Sequence, residues 1–578
     1  MSQRHLVTAG LPYSNGRLHV GHVAGAYLPA DTYVRYLRAR GEEVLFVCGS
    51  DDNGVASLIS ASREGRSVQE LTAAYHARQQ ADFRGLGIEF DIYGGTHQPG
   101  FVERHERLSQ ELFCAIHGKG LFVKRSTEQL FDPAAGRFLP DRYVTGTCYH
   151  RRSDGTPCRY PRAYGDQCES CGNAVDPLLL IDPRSTLSDT RPERRATTHW
   201  HLRLQQLAEP LRRWLESKRS ARSGEPAWRE GVLNFVLGQI EQGLPERAMT
   251  RDLDWGVPVP LDDPDAAGKV LYVWFDAPVG YVSFTSVWCE RQGADWRDYE
   301  RWWKRADSRI VHFIGEDNVV FHALIWPAML MAEGSYQLPS QVVANSFLNI
   351  QPAGREQEKL SKSRGNALWI EDYLRRFDPD PLRYYLTAIA PESQRTAFVA
   401  DDFLARNNGE LVNALGNFIN RALTFAQRQF DGVVPEAGSR GAADVEQLER
   451  IALQARRTTE CLDAFRFKAA LGEVMALARA ANGYVDVKQP WSQQRTDRAA
   501  CGTTINVCLQ TVKALAVLMA PFLPASARRS AEMLGCAGAQ RSWAEATREL
   551  PAGHPLGEPQ ILFRKLDGAE LLGEETGR

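Results

Sequence analysis

The chain of 578 residues has no uncharged apolar run approaching the ~18 residues that a membrane-spanning helix needs. It also has no apolar leader, because Met1–His5 passes directly into a strand-like segment. The net charge is only -2, which neither favours nor excludes nucleic acid, since local basic patches decide phosphate binding. These absences favour a cytoplasmic protein without a membrane segment.

Cysteine is sparse, and eleven cysteines without a secretion signal do not predict a disulfide framework. Seven of them stand among apolar neighbours, where a small buried side chain is the usual role. These seven are Cys48, Cys114, Cys289, Cys461, Cys501, Cys508 and Cys536. The other four lie close together between positions 148 and 171, so this cluster is informative.

No internal repeat is visible, and the chain is too long for a single core, so several domains are expected. Leu6–Ala9 reads as a buried strand, a helical pattern begins at His22, and Val44–Cys48 is a second apolar strand. Pro29 lies inside the helical pattern and predicts a kink there. Strand, helix and strand within so short a distance form a βαβ unit, which predicts an α/β fold with a doubly wound parallel sheet.

Further apolar strands follow only at 310–314 and 341–344, and the stretch between them and the first unit lacks this alternation. We therefore expect an insertion that splits the nucleotide-binding fold, followed from residue 401 by long helical patterns with few strands. The expected division is a first half of the catalytic domain at 1–118, an insertion at 119–240 with its cysteine-rich part at about 144–175, a second half at 241–350, a connecting region at 351–400, a helical domain at 401–540 and a tail at 541–578.

The chain has no G-x-x-x-x-G-K-[ST] segment, which excludes a P-loop nucleotide site. Instead His19-Val20-Gly21-His22 stands where a helix begins after the first strand, and Lys359-Leu360-Ser361-Lys362-Ser363 stands in a polar segment far along the chain. Histidines and amides at a helix start, and mobile lysines, suit the phosphates of ATP. Each motif alone is also compatible with a surface turn or a solvated basic loop. Together, in this order, they resemble the two signatures of class I aminoacyl-tRNA synthetases.

Longer segments make the resemblance specific, because over nearly its whole length the chain is similar to methionyl-tRNA synthetases. The matching segments are Gly10–Tyr13 with Asn15–Gly16, Arg251–Gly256, Tyr272–Tyr281 and Phe313–His322. The resemblance implies a methionine–tRNA ligase that forms methionyl-adenylate from L-methionine and MgATP and then transfers the methionyl group to tRNA(Met). It also implies the fold expected above, with a zinc knuckle in the insertion and an α-helical anticodon-binding bundle.

The resemblance assigns site residues one by one. The methionine site it implies comprises Leu11, Tyr13, Asp51, Trp274, Ala277, Pro278, Tyr281, Asn318 and His322, with Arg251 orienting the substrate. For ATP it implies His19, Gly21 and His22, then Gly315 and Asp317 near the ribose, and Lys359 and Lys362 on the phosphates. A thioether suits an apolar, aromatic wall, and a carboxylate such as Asp51 suits an ammonium. Asn318 and the Asp52-Asn53 pair depart from the usual bacterial pattern and put pocket shape and inhibitor sensitivity in question.

In the insertion, the resemblance implies a structural zinc bound by Cys-x-x-Cys pairs. Cys168 and Cys171 form one intact pair, whereas Arg151 stands where the second cysteine after Cys148 is expected. A tetrahedral site from Cys148, Cys158, Cys168 and Cys171 is one interpretation, with His150 as a substitute ligand. A knuckle that has lost its metal is the alternative.

In the helical domain, Leu411, Leu415, Phe418 and Ala422 recur on one side of a helix, and Asn413, Asn417 and Arg421 recur on the other. The resemblance identifies this polar face, together with Pro490 and Trp491, as the surface that reads the tRNA anticodon. An indole stacks on an unpaired base while amide and guanidinium groups bind base edges. A solvated face and a buried tryptophan are the alternatives.

The sequence leaves several other functions open. Leucyl, isoleucyl and valyl enzymes are disfavoured because no large editing insertion is present, and cysteine activation is a weaker rival. A non-catalytic paralog that binds tRNA, and a duplicate enzyme whose altered pocket confers inhibitor resistance, are alternatives from other classes. No dimerisation domain is evident after the helical region, so we expect a monomer.

Overall fold

Five parallel strands form the central sheet of the computed structural model. The structure describes residues 3–139, 143–152, 155–165, 168, 170–171, 175–221, 225–351, 358–359, 368–536 and 542–568.

The first βαβ unit has the predicted form. Its elements are β1 (Arg4–Ala9), α1 (Val20–His22), a wider π-helical turn (Val23–Tyr27), α2 (Leu28–Ala39) and β2 (Glu43–Ser50). They are followed by α3 (Val55–Glu64), α4 (Val68–Gly85), β3 (Ile92–Gly95) and α5 (Val102–Gly118). The sequence predicts a kink at Pro29; the structure has instead a π turn that ends at Tyr27, two residues before this proline, and α2 begins at Leu28. Proline has no N–H for the preceding turn, so a locally wider helix accommodates it without breaking the run.

The insertion is antiparallel. Its elements are β4 (Phe122–Asp132), β5 (Arg137–Phe138), β6 (Val144–Thr147), β7 (Ala163–Tyr164), β8 (Ile181–Ser185), β9 (Glu193–Leu202), α6 (Ala208–Glu216), α7 (Glu230–Glu241) and β10 (Arg247–Ala248). Four of its strands pair in the order β10–β9–β4–β5, and a smaller sheet has the order β7–β6–β8. The cysteine-rich segment accompanies the smaller sheet.

The chain then returns to the central sheet. The elements are β11 (Thr250–Arg251), β12 (Val270–Leu271), α8 (Val273–Arg291), α9 (Glu300–Trp303), β13 (Ser308–Gly315), a second π turn (Phe321–Ile325), α10 (Trp326–Glu333) and β14 (Gln341–Asn345). The order β14–β13–β1–β2–β3 places the first strand at the centre, with Leu6 opposite both Ile310 and Leu45. The predicted doubly wound α/β fold is confirmed.

A small sheet and a helical bundle complete the chain. The elements are β15 (Leu348–Gln351), β16 (Glu358–Lys359), α11 (Ile370–Leu374), α12 (Pro379–Ala388), β17 (Thr396–Val399), α13 (Ala400–Arg406), a π-helical stretch (Asn407–Gly416), α14 (Asn417–Gln429), α15 (Ala442–Asp463), α16 (Phe467–Lys488), α17 (Pro490–Thr496), α18 (Arg498–Leu518) and α19 (Pro524–Met533). Helix α18 is long and apolar enough to cross a membrane by length and composition, but it is wholly buried in the bundle. It is therefore the core helix of this domain.

The two faces of the central sheet pack against different parts of the molecule. Alternate residues of β1 point to opposite faces, so Val7 joins one core and Leu6 the other. The core of Val7 continues without interruption into the helical bundle, whereas the core of Leu6 includes α5, α8 and the helices of the insertion. Segment 542–568 lies back on the bundle, where Leu562 and Phe563 are buried.

Close packing brings α8 onto the ends of β2 and β3. Phe284 of α8 lies against the backbones of Gly49 and Gly94, and a Cβ at Gly94 would be 2.4 Å from the Phe284 ring. Glycine is required at this close approach because any side chain would push the helix away. The N-terminal part of α8 is thereby held beside the carboxyl ends of the strands.

Candidate active site

A cavity of about 390 Å³ opens at the carboxyl edge of the central sheet, where ligands bind in folds of this type. It is enclosed by the loop after β1, the start of α8 and the segments that follow β13 and β14. The predicted residues among its lining are Leu11, Tyr13, His19, Gly21, His22, Asp51, Trp274, Ala277, Pro278, Tyr281, Gly315, Asp317, Asn318 and His322. Most residues of the two predicted sets, for ATP and for methionine, thus line one cavity.

The two histidines of the first motif lie parallel, with ring centroids 3.6 Å apart. The Gly21 amide donates to Nδ1 of His19, and the His19 amide donates to Nδ1 of His22, both at 3.1 Å. Because each Nδ1 accepts a hydrogen bond, the proton of each neutral ring lies on Nε2. The backbone of the helix start therefore sets both rings as Nε2–H donors.

Backbone hydrogen bonds join the first motif to the chain that follows the second. The Val20 amide donates to the Leu368 carbonyl, and the Ile370 amide donates to the Leu18 carbonyl, both at 3.1 Å. The backbone of Lys359 pairs with Asn349 in the small sheet. Lys362 lies outside the described residues.

Asp51 is held by its backbone, while one oxygen of its carboxylate has no partner among the described residues. Its amide donates to the Pro12 carbonyl at 2.9 Å, and its carbonyl accepts from the Ser14 amide at 3.0 Å. Its Oδ1 is buried and has no hydrogen-bond partner among the described residues. Burial, with the nearby charges of Asp276 and Asp52, raises the pKa of Asp51 well above its usual range. Such a group has a strong preference for a cationic ligand.

Tyr281 and His322 form a buried polar pair in the cavity wall. The Tyr281 hydroxyl lies 2.9 Å from Nε2 of His322, and Nδ1 of His322 lies 3.2 Å from the Asn318 carbonyl. A carbonyl only accepts, so Nδ1 carries the proton and Nε2 accepts from the tyrosine. Burial lowers the pKa of His322 to about 4, which keeps the ring neutral at physiological pH. This part of the wall is therefore uncharged, which suits a thioether ligand.

The remaining wall is aromatic and apolar. The Trp274 ring is stacked on Phe321, with centroids 3.7 Å apart and planes within 6°. Pro278 lies inside α8 and cannot donate the helical hydrogen bond to the Trp274 carbonyl. Phe321 was not among the predicted residues, although its place directly before His322 is a usable indication.

The loop after β13 supplies a polar edge. The side-chain amide of Asn318 donates a hydrogen bond to the Asp317 carboxylate at 3.2 Å. A Cβ at Gly315 would lie 2.8 Å from the same carboxylate, so glycine leaves room for it to fold back. The Asn318 side chain is thus directed to Asp317.

Arg251 does not reach the cavity lining. Its guanidinium donates to the Ala248 and Thr250 carbonyls at 3.0 and 2.9 Å and lies 3.8 Å from the Tyr272 ring centroid. The predicted orienting role is thus unsupported by contact in this structure.

Two further polar groups support the cavity and were missed by the motifs. Gln79 of α4 donates to the Tyr13 and Gly16 carbonyls at 2.9 and 3.0 Å and so fixes the loop after β1. Asn53 donates to the buried Asp276 carboxylate at 2.7 Å. No motif distinguishes a single glutamine on a helix as a supporting residue. Asn53, by contrast, is one of the residues that depart from the usual bacterial pattern.

The four clustered cysteines meet in the insertion. Their Sγ atoms all lie within 4.8 Å of one another, and the Cys148–Cys171 and Cys158–Cys168 pairs are 3.8 Å apart. Tetrahedral zinc with Zn–S bonds of ~2.3 Å requires S···S distances of about 3.8 Å, so the donor set fits zinc. The His150 ring lies on Tyr149 instead, and the cluster is built from cysteines.

In the helical domain the predicted faces are as expected from periodicity: Leu411 and Leu415 are buried, and Asn413, Asn417 and Arg421 are exposed. Gln489 adopts a left-handed conformation between α16 and α17 (φ 47°), and the turn leaves Trp491 44% exposed.

Arg421 lies 5.6 Å from the Trp491 ring. Together with Pro490 they border a small hollow that Asn482 also lines. Asn413 and Asn417 lie on the same helical face as Arg421 but do not line this hollow.

Family models match nearly the whole chain. The model described as tRNA synthetases class I (M) matches residues 5–423, and that described as the anticodon binding domain of methionyl tRNA ligase matches residues 434–573.

Curated relatives belong to the same family as the matching models. A methionine–tRNA ligase of Pyrococcus abyssi is 43% identical over 98% of this chain and 76% of its own length, and one of Salinibacter ruber is 44% identical over 98% and 80%. Among solved structures, a methionyl-tRNA synthetase of Mycobacterium tuberculosis bound by methionyl-adenylate superimposes with a TM-score of 0.78. That structure is 25% identical and covers 97% of this chain and 100% of its own.

Proposed function

The chain belongs to the class I methionyl-tRNA synthetases, and we propose from this membership how its own residues divide the work of the reaction. The enzyme is a methionine–tRNA ligase that uses ATP to form methionyl-adenylate and then charges tRNA(Met). The comparisons lend no support to a non-catalytic paralog or to an inhibitor-resistant duplicate. The observation on which the assignment of roles depends is that His19, Asp51 and His322 line one cavity.

For activation, a carboxylate oxygen of methionine attacks the α-phosphorus of ATP, and the bond from that phosphorus to the bridging oxygen breaks to release pyrophosphate. We assign the Nε2–H groups of His19 and His22 to the phosphate oxygens, where charge grows in the transition state. Lys359 and Lys362 are assigned to the leaving pyrophosphate. Mg²⁺ arrives as part of the nucleotide substrate. No side chain forms a covalent intermediate, so rate enhancement comes from positioning and electrostatics.

For methionine selection, Asp51 is assigned to the substrate ammonium and the neutral Tyr281–His322 pair to the thioether. The rest of the wall is assigned to Leu11, Tyr13, Trp274, Ala277, Pro278 and Asn318. Gly21, Gly315 and Asp317 are assigned to the adenosine part of ATP. Arg251 stays a predicted substrate contact that this structure does not bring to the cavity.

Amino-acid-dependent exchange of pyrophosphate into ATP tests these assignments without tRNA. We expect methionine to support exchange and leucine, isoleucine, valine and cysteine not to. His19→Ala is expected to lower exchange by roughly 100-fold, since preorganised donors contribute about this much. Exchange supported by cysteine but not by methionine would overturn the assignment of the wall.

For transfer, the 2′-hydroxyl of the terminal ribose attacks the carbonyl carbon of the adenylate and AMP leaves. We assign Asn413, Asn417, Arg421, Pro490 and Trp491 to the anticodon. Trp491→Ala should reduce aminoacylation by about 5- to 150-fold and spare exchange, since base stacking contributes ~1–3 kcal/mol. Phe235→Ala, which removes another exposed aromatic ring (47%), is the matched control. Equal loss of both activities in the Trp491 variant would contradict the anticodon role.

We also propose that the cysteine cluster binds a structural zinc ion. Cys148, Cys158, Cys168 and Cys171 would hold it, and its chemistry would be to crosslink the insertion, without a part in either reaction step. The domain boundaries given above, a cytoplasmic location and a monomeric state are likewise proposals. The chain spans three quarters or more of the length of the relatives described above.

A further inference from the structure

Alternating arginine and aromatic side chains lead from the insertion to the wall of the cavity. The Arg251 guanidinium lies over the Tyr272 ring at 3.8 Å, and Arg247 lies 5.6 Å from the same ring. Arg247 is also 5.2 Å from the Phe321 ring, which is stacked on Trp274 of the cavity lining. All five side chains are half-buried, so this arginine–aromatic ladder presents its edge to solvent.

The two cations of the ladder lack carboxylate partners among the described residues. Their neighbours in sequence are already engaged: Glu246 pairs with Arg125 at 2.5 Å, and Asp252 pairs with Lys269 and with His199. Among the residues that the structure describes, the side-chain hydrogen-bond partner of Arg247 is the Tyr272 hydroxyl, at 3.4 Å. A guanidinium held by ring faces keeps most of its N–H groups available, and its planar fork suits a phosphate.

Transfer brings a ligand of this chemistry to the cavity that the ladder adjoins. The terminal ribose of tRNA must reach the adenylate inside the cavity, and the nucleotides before it are single-stranded and carry phosphates. Proteins bind such strands with cationic groups along the backbone and aromatic rings beside the bases. We propose that Arg247, held between Tyr272 and Phe321, binds a backbone phosphate of the single-stranded 3′ end of tRNA as that end enters the cavity. This inference rests on the proposed function.

The test compares Arg247→Ala and Arg247→Lys with the wild-type enzyme and with Arg107→Ala. Arg107 is the matched control because its guanidinium also lies over a ring, that of Trp296 at 4.5 Å, but is paired with Glu111 at 2.9 Å. We expect Arg247→Ala to raise the KM for tRNA about tenfold. The slope of log KM against log salt should fall by about 0.7, the value for one phosphate on a single strand. Arg247→Lys should keep that slope, and Arg107→Ala should match wild type.

A truncated tRNA without its single-stranded 3′ nucleotides separates a phosphate contact from a general structural defect. Its inhibition constant should be the same for wild type and Arg247→Ala, because the proposed phosphate is missing. An unchanged salt slope, or equal weakening of truncated and full-length tRNA, would overturn the proposal. Methionine-dependent pyrophosphate exchange needs no tRNA and should persist in Arg247→Ala; a proportional loss there would assign Arg247 to activation instead. Absence of exchange in wild type would refute the proposed function separately.

Discussion

The Asp51 carboxylate is only partly satisfied in the cavity. It lies in a buried site beside two other carboxylates, and one of its oxygens has no partner among the described residues. A substrate ammonium that pairs with it relieves this unfavourable burial, so binding energy is concentrated at this contact.

Asp51→Asn should therefore raise the KM for methionine in pyrophosphate exchange by roughly 10- to 100-fold, the range for a hydrogen bond to a charged group. The KM for ATP should not change. A methionine analogue without its α-amino group serves as the control and should inhibit both proteins equally. Equal loss of affinity for methionine and for this analogue would contradict the assigned contact.

His322 provides a test of the neutral wall. Its pKa is lowered to about 4 by burial, so the ring should stay neutral as pH falls from 8 to about 5.5 and become protonated only near 4. Nitrogen-15 NMR of labelled histidine should show the Nδ1-protonated tautomer throughout that interval, with the signal assigned by its loss in His322→Gln. Titration near 6.5, the value of an exposed histidine, would contradict a dry pocket.

At the scale of elements, the smaller sheet of the insertion depends on its cysteines. Wild-type protein should contain about one zinc ion per chain after gel filtration, measured by atomic emission. Cys158→Ser should lower that content well below one and reduce the thermal midpoint, because a buried ligand is lost. Cys114→Ser, at an exposed cysteine outside the cluster, should keep both values. A wild-type protein without zinc would support the metal-free alternative.

Elements with strong periodicity could be predicted, and elements set by tertiary contacts could not. Apolar runs such as Val44–Cys48 identify strands buried on both faces, and the 3.6-residue repeat around Leu411 identifies a helix face. The π turn at Val23–Tyr27 escaped prediction because one wider turn hardly changes a periodic pattern. The spacing of the cysteines left Cys158 and His150 open as ligands, since distance along the chain does not fix distance in space.

The same distinction applies to the candidate site. Tyr281 was identifiable because its segment is long and specific, and His19 because its short motif occurs together with the later lysine motif. Gln79 was not, because its role depends only on where α4 places it under the loop after β1. Arg251 is the opposite case. It belongs to a motif that resembles the family, yet its side chain lies on the Tyr272 ring outside the cavity lining.

At the scale of the whole molecule, one buried arginine joins the nucleotide-binding fold to the helical bundle. Arg383 is fully buried, pairs with Asp31 of α2 at 2.6 Å, and donates to the carbonyls of Leu86, Pro521 and Phe522. Its hydrogen bonds therefore reach three separate parts of the chain.

Arg383→Leu should lower the free energy of unfolding by about 3–5 kcal/mol, because it leaves buried carbonyls without donors and removes one of the two partners of Asp31. Urea denaturation followed by circular dichroism measures this loss. Arg375→Leu, which removes an exposed arginine paired with Glu371 on its own helix, should change stability by no more than ~0.5 kcal/mol. Equal midpoints for the two variants would contradict a joining role for Arg383.

The central position of β1 has a consequence for synthesis on the ribosome. This strand is synthesised before the other strands of its sheet, yet its partner β13 begins only at Ser308, after the whole insertion has been made. At ~5–20 residues per second, one edge of β1 waits tens of seconds for its neighbour. An unpaired apolar edge is a template for pairing with other chains. Nascent chains that stall within the insertion are therefore the ones expected to aggregate or to recruit chaperones.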